Sequence, residues 1–256
     1  MATPAALRFF ERQARVYRHT WRGSVVSTFV QPVFYLLAMG LGLGSLVDRQ
    51  GGPEGLPYLV WLAPGLLAAA AMQTGAGEGA WPVMAGIRWV KFYQAALATP
   101  LTVRDVVLGH FGWVTARLGM VAVVYVGVIW AFGAVDLLSG LAAVLPAVLV
   151  GLAFAGPVTA YTAGLERETG LSSLFRFGIV PLFLFSGTFF PISQLPGWLQ
   201  PLAAFTPLWH GVELTRWAAL GLPTAFPPAV HVAVLVVLFA SGVWLSMVRL
   251  TRRLVV

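Results

Sequence analysis

The sequence predicts an all-α membrane protein of six transmembrane helices, with an amphipathic interfacial helix at the N-terminus, a short cytoplasmic helix and an outer re-entrant helical hairpin. Three observations carry this reading. Apolar residues make up 59% of the 256 positions and charged residues only 10%, with a mean hydropathy of +0.83, which the surface of a soluble domain this size does not tolerate. The apolar runs are close to the roughly 20 residues that a helix needs to cross a bilayer. The Lys and Arg residues alternate by gap: five, one, three, none, two (counting Arg176 at the start of the fifth run), one and three in chain order, with Arg117 left inside the third run. Thirteen therefore fall on one side and two on the other, and the positive-inside rule places both termini and the two charged loops in the cytoplasm.

Taken in order, Pro4 to Arg22 carries Arg8, Arg12, Arg15, Arg18 and Arg22 on one side and Leu7, Phe10, Ala14, Tyr17 and Trp21 on the other, the pattern of a helix lying on a membrane. The spans follow at 24–47, 58–77, 106–132, 137–163, 174–190 and 230–248. The first is too long for a signal peptide and is read as retained. Pro32, Pro146 and Pro157 fall inside spans, where neighbouring helices can satisfy the freed carbonyls. Glu78 and the Gly/Trp/Pro group after Gly77 mark re-entry to water. Between the second and third spans, 88–98 has no breaker and reads as a short helix, stopped by Thr99 and Pro100 because the residue before proline disfavours helix. The segment 191–228 reads as a helical hairpin dipping into the outer leaflet. Trp198, Leu199, Leu202 and Phe205 recur at helical spacing there, Glu213 and Arg216 are three apart and able to pair, and Trp198, Trp209 and Trp217 suit the membrane interface. No large soluble part remains, so 1–256 is one membrane domain.

The chemistry is constrained mostly by exclusion. No H-E-x-x-H, no G-x-S-x-G and no intramembrane acid pair occurs, and there is no G-x-x-x-x-G-K-[ST] to bind ATP. Cys is absent, which excludes disulfides and thiolate metal sites. His19, His110, His210 and His231 are far apart in sequence and read as interfacial or packed side chains. The net charge of +7 lies beside apolar runs, which suits lipid headgroups, and it forms no patch with stacking aromatics that would take nucleic acid. Arg117 is the one clearly deep charge. It binds an anionic group, neutralises a carboxylate on a neighbouring helix or subunit, or bonds to backbone. Arg cannot give up its proton in practice, which weighs against an ion-coupled transporter. That reading and a non-transporting assembly factor remain as alternatives. The bias of fifteen Arg to one Lys fits a GC-rich bacterial genome and hence a bacterial plasma membrane.

Two stretches resemble a known family. ATPLTVRDVVLG, with Thr99, Pro100, Arg104, Asp105 and Gly109, is similar to the Thr-Pro segment that leads into the third span of the permease subunits of ABC type-2 exporters. FSGTFFPISQLPGWLQPLAAFTPLWHGVELTR is similar to the Ser-Gly to Phe-Pro stretch of the same family and to its later Leu-Pro and Pro-Leu positions, here Ser186, Gly187, Phe190, Pro191, Leu195, Pro196, Pro207, Leu208, Glu213 and Arg216. With the six-span layout the resemblance covers nearly the whole chain, and it is closest to the nodulation-factor and daunorubicin-resistance permeases. GIRWVKFYQAAL departs from it, being basic where family members often carry an acidic pair.

The resemblance implies a chain without catalytic, cofactor or metal residues of its own, working with two ABC ATPase subunits that hold ATP and Mg, and with a second permease copy or paralogue. By the same resemblance 88–98 is the coupling helix, with Trp89, Phe92, Tyr93 and Leu97 as packing contacts, Arg88 and Lys91 as polar ones, Thr99 and Pro100 as its stop, and Glu166 to Glu168 as a second contact. The path would lie between two permease copies, with Gln31, Tyr35, Phe185, Ser186 and Phe189 lining it and Arg117 as its deep charge. The outer hairpin, with Trp198, Trp209, His210, Glu213 and Arg216, would close it to water. Aromatic and aliphatic walls suit an amphiphilic cargo such as a lipid, glycolipid or hydrophobic drug.

Overall fold

The computed structural model describes the backbone of residues 5–255 and the side chains of all of these except 24–28 and 31. Among the described residues the chain is all-helical. The helices are α1 (Ala5–Tyr35, continued by wide π-helical turns and a last α-turn to Asp48), α2 (Tyr58–Trp89), α3 (Phe92–Leu97), α4 (Val103–Ala131), α5 (Leu137–Gly164), α6 (Thr169–Phe185), α7 (Gln200–Ala204), α8 (Pro207–Leu220) and α9 (Pro228–Leu254).

Four of these, α2, α4, α5 and α9, are long and apolar enough to cross a membrane. The shortest of them has 27 residues, about 40 Å at a rise of ~1.5 Å per residue, against a hydrocarbon core of ~30 Å. The expected first and fifth spans correspond to shorter apolar helices, Pro32–Asp48 and α6. The far half of α1 follows its basic first half without a break in the helix. Position 4 of the expected interfacial helix lies outside the described residues.

Small residues set the packing. A Cβ at Gly75 would meet the Gly151 carbonyl, and one at Gly79 would lie 2.8 Å from the Ala155 carbonyl, so α2 and α5 run parallel with their backbones in near contact. Farther round α5, Gly156 faces Gly242 of α9, and the Ser246 hydroxyl donates to the Gly156 carbonyl at 3.5 Å. Such close approach adds dispersion where lipid supplies no hydrophobic drive between helices. Helix α4 runs the other way across the pair, with Leu118 against Gly151, and α1 lies along α4 with Ala6 and Phe9 over Gly109. Of the four long helices α2 is the most enclosed and α9 the least. The ends of α2, α5 and α9 thus meet at one face of the bundle.

Helix starts follow their caps. Thr102 and Asp105 exchange bonds in a capping box that opens α4, Asp136 accepts from Leu138 and Ser139 amides at α5, and Thr206 accepts from the Trp209 amide ahead of Pro207 at α8. Three boundaries differ from expectation. Helix α2 does not end at Gly77 but continues to Trp89, and within it Glu78 pairs with Arg117 of α4, with Oε1 and Nε 3.2 Å apart. The expected helix 88–98 is split: Lys91 takes a left-handed conformation, φ +55°, and only Phe92–Leu97 follows as α3. Helix α6 begins at Thr169 and stops at Phe185 instead of running 174–190, since Gly187 turns the chain at φ +80°.

Candidate functional site

Two regions gather the residues singled out from the sequence. The first is the bundle face where α3 sits. Tyr93 is fully buried, with its ring 5.9 Å from that of Phe9 and 4.8 Å from that of Phe92. Gly86 makes the room, since a Cβ there would stand 2.8 Å from the Tyr93 ring. The Arg12 guanidinium lies over Phe92 at 3.8 Å, and Gln94 Nε2 donates to the Ile87 carbonyl at 2.9 Å. Burial holds the Tyr93 phenol above its ordinary pKa, opposed by the charge of Arg12, so the ring stays neutral in this packed corner.

These contacts fasten α3 to the bundle. Tyr93, and in part Phe92 and Leu97, therefore face the chain's own core, although the sequence reading gave them to a partner. What points outward is the corner before the helix, Trp89, Val90 and Lys91, together with Thr99 and Pro100 after it. Arg88 reaches across and donates to the backbone carbonyl of Glu166, which joins the α3 corner to the exposed loop Glu166–Glu168.

The second region is a cavity of about 490 Å³ between the far half of α1 and the bend after α6. Tyr35, Met39, Tyr58, Phe183, Phe189 and Gln194 are among its walls. Phe183 stands edge-on to both Tyr35, at 5.7 Å, and Phe189, at 5.0 Å. Tyr58 donates its hydroxyl to the Phe189 carbonyl at 2.8 Å and so fixes the bend. Of the expected path residues, Tyr35 and Phe189 line this space. Phe185 lies outside it and exposed, and Ser186 is buried, accepting from the Thr206 hydroxyl at 2.8 Å. The side chain of Gln31 lies outside the described residues. Arg117 belongs to a different cavity, of about 330 Å³, which it shares with Glu78, Thr74, Trp81 and Tyr125. Met39 and Tyr58 were not singled out from the sequence. Their only advance signal was the apolar, aromatic tone of their runs.

The outer segment departs from its sequence reading in one pairing. Arg216 does not bind Glu213. It is buried and donates through Nε to the Trp61 carbonyl at 3.2 Å and through Nη2 to the Gly187 and Thr188 carbonyls at 2.9 and 3.2 Å, with its guanidinium 3.4 Å from the Trp61 ring. Glu213 instead accepts from the Ala225 amide at 3.0 Å. Trp209, expected at the membrane interface, is also buried, next to His210 and His231, whose Nδ1 atoms are 2.8 Å apart. Trp198, Leu202 and Phe205 remain exposed. Helix α8 is thus clamped between α2, α5 and α9, while α7 stands proud of the bundle.

Comparison with known proteins places these features in context. A family model described as ABC-2 type transporter matches residues 7–220. The chain is similar to Nodulation protein J of Sinorhizobium fredii, 32% identical over 234 residues that cover 90% of this chain and 87% of that protein. It is 31% identical over 252 residues to Nodulation protein J of Rhizobium leguminosarum bv. viciae, covering 97% and 94%. To the Inner membrane transport permease YadH of Escherichia coli K12 it is 23% identical over 200 residues, 77% of each chain.

Proposed function

The chain belongs to the ABC-2 type transporter family, an integral membrane permease subunit that works with an ABC ATPase, and from that premise we propose that it exports an amphiphilic substrate from the cytoplasm or inner leaflet. The observation that carries the cargo class is the cavity between α1 and the bend after α6, walled mainly by aromatic and aliphatic side chains. A lipid, a glycolipid or a hydrophobic drug suits such walls.

In this reading six segments cross a bacterial plasma membrane, the far half of α1 and α6 being the two shorter crossings, and the basic first half of α1 lies along the inner surface. Both termini are cytoplasmic. Helices α7 and α8 form a re-entrant outer hairpin. Two copies of the permease, or this chain and a paralogue, enclose the path, and two ATPase subunits hold ATP and Mg. The corner Trp89–Lys91 is the foot that meets an ATPase, with Arg88 and the Glu166–Glu168 loop as its second support. Because α3 is locked by Tyr93, Phe92 and Arg12, a push on that foot is transmitted to α2 and α4 as rigid-body motion.

The test is ATP-dependent movement of a fluorescent-headgroup lipid in vesicles containing the permease with its ATPase. Trp89→Ala with Lys91→Ala is expected to weaken ATPase retention by about tenfold, on the order of one to two small-contact losses at an interface, and to lower movement with it. Met39→Trp fills the cavity, so movement falls while ATPase retention is unchanged. Movement driven by a proton gradient without ATP would reject the proposal in favour of ion coupling.

A further inference from the structure

A third cavity, of about 600 Å³, opens at the face where α2, α5 and α9 end. Its walls include Arg88, Arg249, Arg252 and Arg253, against one carboxylate, Glu166. Like charges gathered this closely repel, so something must fix them. Arg249 Nη1 donates to the Ala160 carbonyl at 3.0 Å and Arg253 Nη1 to the Ala163 carbonyl at 2.6 Å, while Arg88 donates to the Glu166 carbonyl. These acceptors lie in the last turn of α5 and the loop after it, where the helix dipole favours cations. The bonds explain how three of the guanidiniums are held. Each uses one or two of the five N–H donors that a guanidinium carries, and the capped carbonyls leave the positive charge undiminished.

Such a fixed, multiply basic hollow is a receptor for a phosphate group, which accepts paired N–H bonds from Arg. Its position favours one source. Helix α9 is the least enclosed of the long helices, and Val236, Val237 and Trp244 stand exposed along it, so its flank meets acyl chains and its basic end meets the headgroups above them. The hollow is broadly open, so a group as large as a phospholipid headgroup can enter it. We propose that this cavity binds the phosphate headgroup of an anionic phospholipid of the inner leaflet, seated between the end of α9 and the Arg88–Glu166 link to the α3 corner. The assignment of the leaflet rests on the cytoplasmic placement given above. Binding itself does not, because a bilayer disc offers headgroups at both faces. A bound lipid there braces the corner that the ATPase is proposed to push.

The test uses the full chain in phosphatidylcholine nanodiscs with and without phosphatidylglycerol, counting by native mass spectrometry the lipids retained on release from the disc. Wild type is expected to retain phosphatidylglycerol in preference to phosphatidylcholine. Arg252→Glu, whose side chain is exposed and bonds to none of the carbonyls above, should lower that preference by about tenfold, as expected for reversing one charge near a headgroup. Arg252→Lys should keep it, and thermal melting should be the same for all three. Equal retention of the two lipids by wild type, or an unchanged preference in Arg252→Glu, overturns the proposal. So does full displacement by millimolar inorganic phosphate, which would make the hollow a free-anion site. If the true occupant is an acidic ATPase surface, Arg252→Glu will cut ATPase retention with no lipid preference to lose, and that outcome also overturns it.

Discussion

Gly75→Val is expected to abolish the monodisperse, folded yield of the chain, whereas Gly77→Val, two residues along the same helix, leaves it nearly intact. Both substitutions put the same β-branched side chain into α2 and carry the same helix-propensity change. They differ in what the new atoms meet. At Gly75 the first added carbon falls on the backbone carbonyl of Gly151, and at Gly77 nothing lies within 4 Å. A flexible side chain in the way can turn aside, but a carbonyl within a helix moves only if the helix moves. Helix α5 cannot retreat easily, because Gly156 on its other side already touches Gly242 of α9. Overpacking costs about 1–3 kcal/mol where neighbours can shift, and more where they cannot, out of a total stability of about 5–15 kcal/mol. Size-exclusion profiles and thermal melting of the two variants in detergent provide the measurement. Similar behaviour of the pair would mean that α2 and α5 do not pack through their glycines.

Arg216→Met should be the next most damaging change. Methionine fills much of the same volume, so the loss is chiefly polar. The Gly187 and Thr188 carbonyls, in the non-helical bend after α6, lose the donor Nη2, and Trp61 loses both a bond to its carbonyl and the cation over its ring. A buried acceptor left without a partner costs about 1–3 kcal/mol, and a desolvated cation–π contact about 2 kcal/mol. A destabilisation of roughly 3–5 kcal/mol is expected, since these terms overlap in one network. The functional effect goes further, because the bend carries Phe189 into the cavity. ATP-dependent lipid movement should fall more in Arg216→Met than in Glu213→Gln, whose hydrogen bond, from the Ala225 amide, is exposed. Equal effects from the two would argue that the arginine does no more than the expected surface pair.

How far this was readable beforehand depends on whether the cause was local. The long helices were legible because apolar runs and the basic residues between them are local signals, and the family was legible because FSGTFFP and its successors keep their order and spacing. Glu78 misled about where α2 ends, because a lone acid reads as the close of an apolar helix, and its partner Arg117 is 39 residues away on another helix. The break at Lys91 has no Gly or Pro to announce it. Tyr93 reads as a packing contact to a partner on a short helix, and only Gly86 and Phe9, from other parts of the chain, reveal the hollow that takes it. Arg216 binds carbonyls, which every residue carries, so no sequence pattern could name them. The cavity at Tyr35 likewise depends on how a bend at Gly187 folds back on α1.

Coupling to an ATPase requires the α3 corner to lie inside the cell. Because the chain has no cysteine, single substitutions report side without a background. With a membrane-impermeant maleimide, Glu54→Cys and Ala225→Cys should label in intact cells, and Lys91→Cys and Arg252→Cys only in inverted vesicles. Labelling of Lys91→Cys from outside intact cells would put the α3 corner on the wrong side of the membrane for an ATPase and contradict the account.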